Sequence, residues 1–298
     1  MKYISIDLFS GAGGMSEGLK MAHFRTKYAF EIDAIASMTY RLNHNRTKVY
    51  TQDIKTVDTE AIKKALRGKN IHLLAGCPPC QGFSSIRRLN RNKPVEDERN
   101  SLINEYVRFV NDLRPYTIML ENVPGLAMSD EFHKAMCFLR EIGYHIEYDI
   151  LNVKDYGVPQ SRKRLVMVGS RLGPISIAAP TNESCTVRST IGSLPMPADS
   201  TDAVHQIYPH HIQRIQNLIG LIPHDGGSLK DLSDEWQLKC HEADNVGFND
   251  VYGRLRWDTH STTITGGCLN PSKGRFLHPE QNRCITAREA SMLQTFPI

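Results

Sequence analysis

Ile71-His72-Leu73-Leu74-Ala75-Gly76-Cys77-Pro78-Pro79-Cys80-Gln81-Gly82-Phe83-Ser84 decides how this chain is read. A short apolar run ended by glycine and two prolines predicts a buried strand that stops abruptly. Pro79 can neither continue a ladder nor start an ordinary helical turn, so the next side chain leaves at a fixed angle. That side chain is Cys80. A thiol at the mouth of a strand can serve as an enzyme nucleophile if its surroundings favour the thiolate.

Working outward, strand-like and helix-like segments alternate. Strands are expected over 2–9, 27–32, 72–75 and 117–120, with a further strand-like segment before Asp53. Helical spacing is expected over 14–22, 34–42, 58–66, 100–113 and 130–142. Residues 144–153 and 164–169 then read as two strands without a helix between them, a pattern that suits a hairpin and an antiparallel last strand. The alternation predicts a mostly parallel sheet with helices on both faces. Ligands of such sheets bind at the carboxyl ends of the strands. Phe9 to Gly14, Glu31 to Asp33, Asp53, Pro78 to Gln81 and Glu121 to Val123 all follow expected strands and should share one rim. Beyond about Arg171 the composition turns loop-rich, with one helical stretch at 210–221 and a capped helix expected from Thr286, whose Glu289 lies three residues on.

The chain has 298 residues with ordinary apolar and charged content, and its net charge of +4 only hints at a polyanionic partner. Arg87, Arg88, Arg91 and Lys93 cluster, but Glu96, Asp97 and Glu98 follow, so a solvated mixed-charge loop is the alternative reading. No run is long enough for a membrane span and no signal peptide is evident. Seven cysteines, an odd and scattered set, suit a cytoplasmic protein with free thiols. Cys77 and Cys80 form a C-x-x-C pair, but without a second pair a zinc site is not expected, and no metal is assigned.

Gly11-Ala12-Gly13-Gly14 lies between a strand and a helix, where glycines permit close backbone approach and the helix start favours an anion. Glu31, ending the second strand, could take two ribose hydroxyls. Asp53 could accept from an adenine amino group. A nucleoside cofactor fits, and these features alone do not separate NAD from S-adenosylmethionine.

Taken together, Phe9-Ser10-Gly11-Ala12-Gly13, Pro79-Cys80, Glu121-Asn122-Val123 and Gln160-Ser161-Arg162-Lys163-Arg164 resemble the motifs of the DNA cytosine-5 methyltransferases of bacterial and phage restriction-modification type. Arg254-Leu255-Arg256-Trp257-Asp258 with Ser261, Thr263 and Ile264 continues the likeness. So does Thr286-Ala287-Arg288-Glu289-Ala290 with Gln294-Thr295-Phe296-Pro297, and it therefore runs nearly from end to end. The resemblance implies an α/β fold: a Rossmann-like methyltransferase sheet, mostly parallel with the last strand antiparallel, and a small loop-rich target-recognition domain. It implies a catalytic and cofactor domain over 1–180, a target-recognition domain over 185–252, and a return segment over 253–298 packing on the catalytic domain.

The resemblance further implies S-adenosyl-L-methionine as cofactor, held by Phe9, Ser10, Gly11, Gly13, Gly14, Glu31, Ile32, Asp53, Ile54 and Pro78. Cys80 would add to C6 of a flipped-out cytosine, making C5 nucleophilic. A protonated Glu121 would supply the donor at N3. Asn122 and Pro79 would hold the nucleophile's loop, and Arg162 and Arg164 would fix the base carbonyl and the carboxylate. Double-stranded DNA is the expected partner, contacted by Gln81, Ser84, Ser85, Arg87, Arg88, Gln160 and Arg254. An RNA methyltransferase is the alternative, because a tRNA-modifying branch shares these motifs. Most relatives continue past the equivalent of Pro297 with a Gly-Asn helix that completes the cofactor pocket. Truncation, a second polypeptide supplying that helix, and activity without it are the three explanations. The protein is otherwise expected to be a monomer.

Overall fold

The computed structural model describes residues 3–79, 102–181, 183–236 and 250–298. Two compact units emerge: Met1–Leu151 with Lys163–Ala179, and Asn152–Arg162 with Pro180–Ile298.

In the first unit the strands are β1 (Tyr3–Leu8), β2 (Phe24–Glu31), β3 (Lys48–Thr51), β4 (Leu73–Gly76), β5 (Thr117–Asn122), β6 (His145–Asn152) and β7 (Lys163–Ser170). They form one seven-stranded sheet in the order β3-β2-β1-β4-β5-β7-β6. Strands β1 to β5 pair parallel, and β5 pairs antiparallel with β7 through Asn122–Leu165 to Thr117–Ser170. The mixed sheet agrees with the expected fold class.

Among the described residues five helices connect the strands: α1 (Gly14–Met21), α2 (Ala34–Asn43), α3 (Thr59–Leu66), α4 (Leu102–Leu113) and α5 (Asp130–Glu141). Their starts are set locally by side-chain caps. Asp33 accepts from the Ala36 amide, Asp58 from Glu60 and Ala61, and Ser129 from Phe132. Helices α3, α4 and α5 bury their apolar stripes, among them Ile62, Leu66, Tyr106, Phe109, Val110, Phe132, Met136 and Leu139. These pack with Ile6, Leu8, Leu74, Ile118 and Leu120 into the main core. Burying each such side chain contributes on the order of 1.5–3 kcal/mol before entropic costs.

The opposite face of β1 carries Ser5 and Asp7, both buried. Ser5 bonds Thr26 (3.0 Å), and Ser16 of α1 donates to Asp7 Oδ2 (2.7 Å) while also meeting Thr26 and Tyr40. β1 alternates apolar and polar side chains, and its polar positions are enclosed because a parallel sheet is covered on both faces.

The second unit has short helices α6 (Val187–Ile191), α7 (Gln213–Leu221) and α8 (Ala287–Met292). Thr286 and Glu289 form the reciprocal cap of α8. One cluster joins Val187, Ile191, Leu255, Trp257, Phe276 and Leu293, and another joins Leu218, Ile219, Ile222, Tyr252 and Leu277. Residues 253–298 therefore share cores with 187–191 and 218–222.

Candidate active site at the carboxyl ends of the strands

The turn after β1 is built from unusual backbone. Phe9, Gly11 and Gly13 have φ of 57°, 54° and 99°. A Cβ at Gly13 would lie 2.7 Å from the His44 ring and 3.0 Å from Tyr40, so glycine is required there on two counts. Gly14 opens α1, and the buried Ser10 is tied to Phe30 through its amide (3.0 Å).

Glu31, the last residue of β2, ties this turn to the next. Its Oε2 accepts from the Gly11 amide (2.8 Å) and its Oε1 from the Asp33 amide (2.9 Å). Ile32 is exposed beside it. Asp53 follows β3 and accepts from the Lys55 amide (2.9 Å). A Cβ built on Gly11 meets nothing within 4 Å, so the space in front of the turn is open, next to a carboxylate at a strand end. That donor set fits a nucleoside cofactor. The Ile54 side chain packs into the main core.

At the neighbouring strand ends, Asn122 closes β5. Its Nδ2 donates to the Pro78 carbonyl (2.8 Å) and its Oδ1 accepts from the Val123 amide (2.8 Å). Pro78 is buried and Pro79 exposed. The Glu121 carboxylate is held from both sides, by Arg164 Nε at 3.0 Å from Oε1 and by the Cys77 thiol, which donates to Oε2 at 2.9 Å. Glu121 and Arg164 keep side-chain exposures of 23% and 20%, so this ion pair borders solvent. Burial foremost, then the Glu121 charge, raises the Cys77 thiol well above its ordinary pKa, with Arg164 opposing. Cys77 was not expected at the site. The β4–β5 register places Gly76 opposite Leu120, which brings the next residues, Cys77 and Glu121, together.

Asp7 lies beneath this rim, fully enclosed, with Oδ1 unpartnered among the described residues. Desolvation foremost pushes its pKa up to about 7, with the Ser16 hydrogen bond opposing and the Glu31 charge adding.

In the second unit, the Arg162 amide donates to Asn152 Oδ1 (2.9 Å) and its carbonyl accepts from Val153. Two expected DNA contacts are corrected. Gln160 is buried: its Oε1 accepts from the Ile264 amide (2.9 Å) and its Nε2 points to the Leu293 carbonyl (3.5 Å). Arg254 is fully buried and donates to the carbonyls of Ile222, His278, Gln281 and Ile219 and to Asn282 Oδ1. Every N–H of its guanidinium is spent inside the protein, which leaves none for a phosphate. Arg254 is a strut. Cys80, Gln81, Ser84, Ser85, Arg87 and Arg88 lie outside the described residues. Among the described residues no group of three or more His, Cys, Asp or Glu could hold a metal, and no helix is long and apolar enough to cross a membrane.

A mostly parallel sheet in this strand order, with a glycine turn after β1 and an acid ending β2, is the fold of the solved methyltransferases it superposes on. The chain belongs to the C-5 cytosine-specific DNA methylase family, whose model matches residues 3–298. It is 34% identical to the type II methylase M.HgiDII of Herpetosiphon aurantiacus, over 98% of this chain and 84% of that protein. It is 31% identical to the type II methyltransferase M.DdeI of Desulfomicrobium norvegicum, over 98% and 78%. A solved DNA modification methyltransferase candidate from an E. coli prophage superposes with a TM-score of 0.76 at 26% identity, covering 99% of this chain and 89% of that one. The S. pombe Dnmt2 methyltransferase shares the fold, with a TM-score of 0.66 at 20% identity. The protein is thus an enzyme of the DNA (cytosine-5) methyltransferase type.

Proposed function

We propose that the chain methylates C5 of a cytosine flipped out of duplex DNA, through a covalent adduct between Cys80 and C6, as the modification enzyme of a bacterial or phage restriction-modification system in the cytoplasm. The observation that carries this reading is Glu121, presented at the end of β5 between Cys77 and Arg164, beside the Asn122–Pro78 tie that leads to Cys80.

The residues divide the work as follows. The Cys80 thiolate forms the S–C6 bond, and the displaced electron pair settles toward N3, where a protonated Glu121 donates. S-adenosylmethionine, when bound, supplies the sulfonium methyl that C5 takes. N3 returns its proton to Glu121 as C5 takes the methyl; a base, which a water can provide, then removes the C5 proton, the electron pair restores the 5,6 double bond, and the S–C6 bond breaks to release Cys80 as the thiolate. Arg164 keeps the Glu121 carboxylate aimed, and Arg162 fixes the base carbonyl. Asn122 and Pro79 set the exit angle of Cys80. The cofactor is held by the turn Phe9 to Gly14, with Glu31 at the ribose, Asp53 at the adenine, and Ile32, the Ile54 backbone and Pro78 lining it.

Gln81, Ser84, Ser85, Arg87 and Arg88 hold the DNA, and residues 185–252 choose the sequence. The test is transfer of labelled methyl from S-adenosylmethionine to unmethylated duplex DNA, followed by bisulfite sequencing. 5-Methylcytosine in one fixed context is expected. Transfer to unmodified tRNA with none to DNA would overturn the reading.

A further inference from the structure

Cys77 stands outside the chemistry assigned above, yet its thiol lies 2.9 Å from Glu121 Oε2, while Arg164 lies 3.0 Å from Oε1. These two partners come from different parts of the sheet. Cys77 directly follows β4, and Arg164 is the second residue of β7. Between them they occupy both oxygens of the carboxylate, so its plane is set across three adjacent strands. The thiol itself is anchored, since its backbone amide donates to the Leu8 carbonyl (3.3 Å).

We propose that Cys77 is a positioning residue for Glu121, its thiol holding the carboxylate in the orientation from which it meets the ring nitrogen of the target base. This rests on the reading of Glu121 as the donor at N3. A thiol suits the task because it is a neutral group that both donates and, weakly, accepts. It donates to Glu121 as a carboxylate and can turn its sulfur lone pair toward Glu121 as an acid, so the contact survives proton transfer. A lysine there would add a charge, and an alanine would leave Arg164 as the single described tether. The raised thiol pKa keeps the S–H present at neutral pH, and therefore Cys77 does not compete with Cys80 as a nucleophile.

The experiment combines two measurements on the full chain. The first needs no turnover: alkylation of Cys77 by iodoacetamide at pH 8, in a Cys80→Ala background so that the mapped peptide reports one thiol. Replacing Glu121 by Gln removes a neighbouring negative charge and should speed alkylation about tenfold. An unchanged rate would show that the two groups are not in contact, and the proposal would fall. The second is single-turnover methyl transfer to duplex DNA. Cys77→Ala should lower the rate about tenfold with cofactor and DNA affinities within about twofold. Cys77→Ser, which keeps a donor and acceptor, should recover most of it. In a Glu121→Gln background, Cys77→Ala should cost nothing further. If Glu121→Gln is crippled but Cys77→Ala is not, Cys77 has no positioning role and the reading of Glu121 stands. Full turnover by Glu121→Gln would remove both. Equal losses in the alanine and serine variants, additive with Glu121→Gln, would mark a packing role and overturn the proposal.

Discussion

Asn122 Nδ2 donates to the Pro78 carbonyl at 2.8 Å, which ties the end of β5 to the turn that leaves β4. Cys80 comes two residues after that carbonyl. The tie joins residues 44 apart in sequence and is buried, so it is not exchanged for water.

Asn122→Ala should therefore lower the methyl-transfer rate by about tenfold or more while cofactor affinity stays within about twofold. Asn122→Asp is the sharper check. It keeps an acceptor for the Val123 amide but has no donor for Pro78, and should be equally slow. Wild-type turnover in either variant would remove this contact from the mechanism.

Glu31 bonds the Gly11 and Asp33 amides and is assigned to the cofactor ribose. Glu31→Ala should raise the calorimetric Kd for S-adenosylmethionine about 10- to 100-fold, the loss of one or two charge-assisted hydrogen bonds. The circular dichroism spectrum should not change. Unaltered affinity would place the ribose elsewhere.

Asp7 makes stability depend on pH. Its folded pKa, raised to about 7, exceeds the unfolded value of about 3.9. Its contribution is therefore most favourable below about pH 4, declines as pH rises to about 7, and is level above that. A shift of this size corresponds to roughly 4 kcal/mol over the whole window. Asp7→Asn has no such titration, so its Tm relative to wild type should climb between pH 4 and pH 8. A constant difference across that range would contradict the burial of an ionisable group at this point.

Arg254 is buried with five neutral acceptors, and desolvation draws its pKa down to about 10. Arg254→Lys cannot fill that set of acceptors. It should destabilise the second unit by on the order of 3 kcal/mol in urea unfolding. The slope of log DNA affinity against log salt should stay as in wild type, because no phosphate contact is lost. A slope reduced by about one would return Arg254 to the DNA interface.

Much of this was legible in the residues. Periodicity announced α3 within 58–66 and α5 within 130–142, the latter through the spacing of Phe132, Met136 and Leu139; the structure adds their caps at Asp58 and Ser129. The Thr286–Glu289 box announced α8. These are local signals, carried by interactions within one or two turns. The strand-helix alternation then placed Gly11, Glu31, Asp53, Pro78 and Glu121 at the ends of parallel strands, where ligands of such sheets bind.

Other features depend on which residues meet across the fold. In sequence Arg254 reads as a free cation and Gln160 as a polar contact, yet both are buried struts. Polarity records what a side chain can bond, and only packing decides whether water, DNA or a carbonyl is the partner. Asp7 reads as the polar side of an alternating strand, but α1 covers that face and encloses it with Ser16. Cys77 reads only as half of a C-x-x-C pair with no zinc site expected, and the β4–β5 register sets it against Glu121. The sequence by itself determined the sheet, the glycine turn and the residue types of the site, because short-range periodicity and backbone chemistry are written locally. Only the tertiary structure decided the partners of Glu121, Asp7, Gln160 and Arg254, because register and burial are properties of segments far apart in the chain.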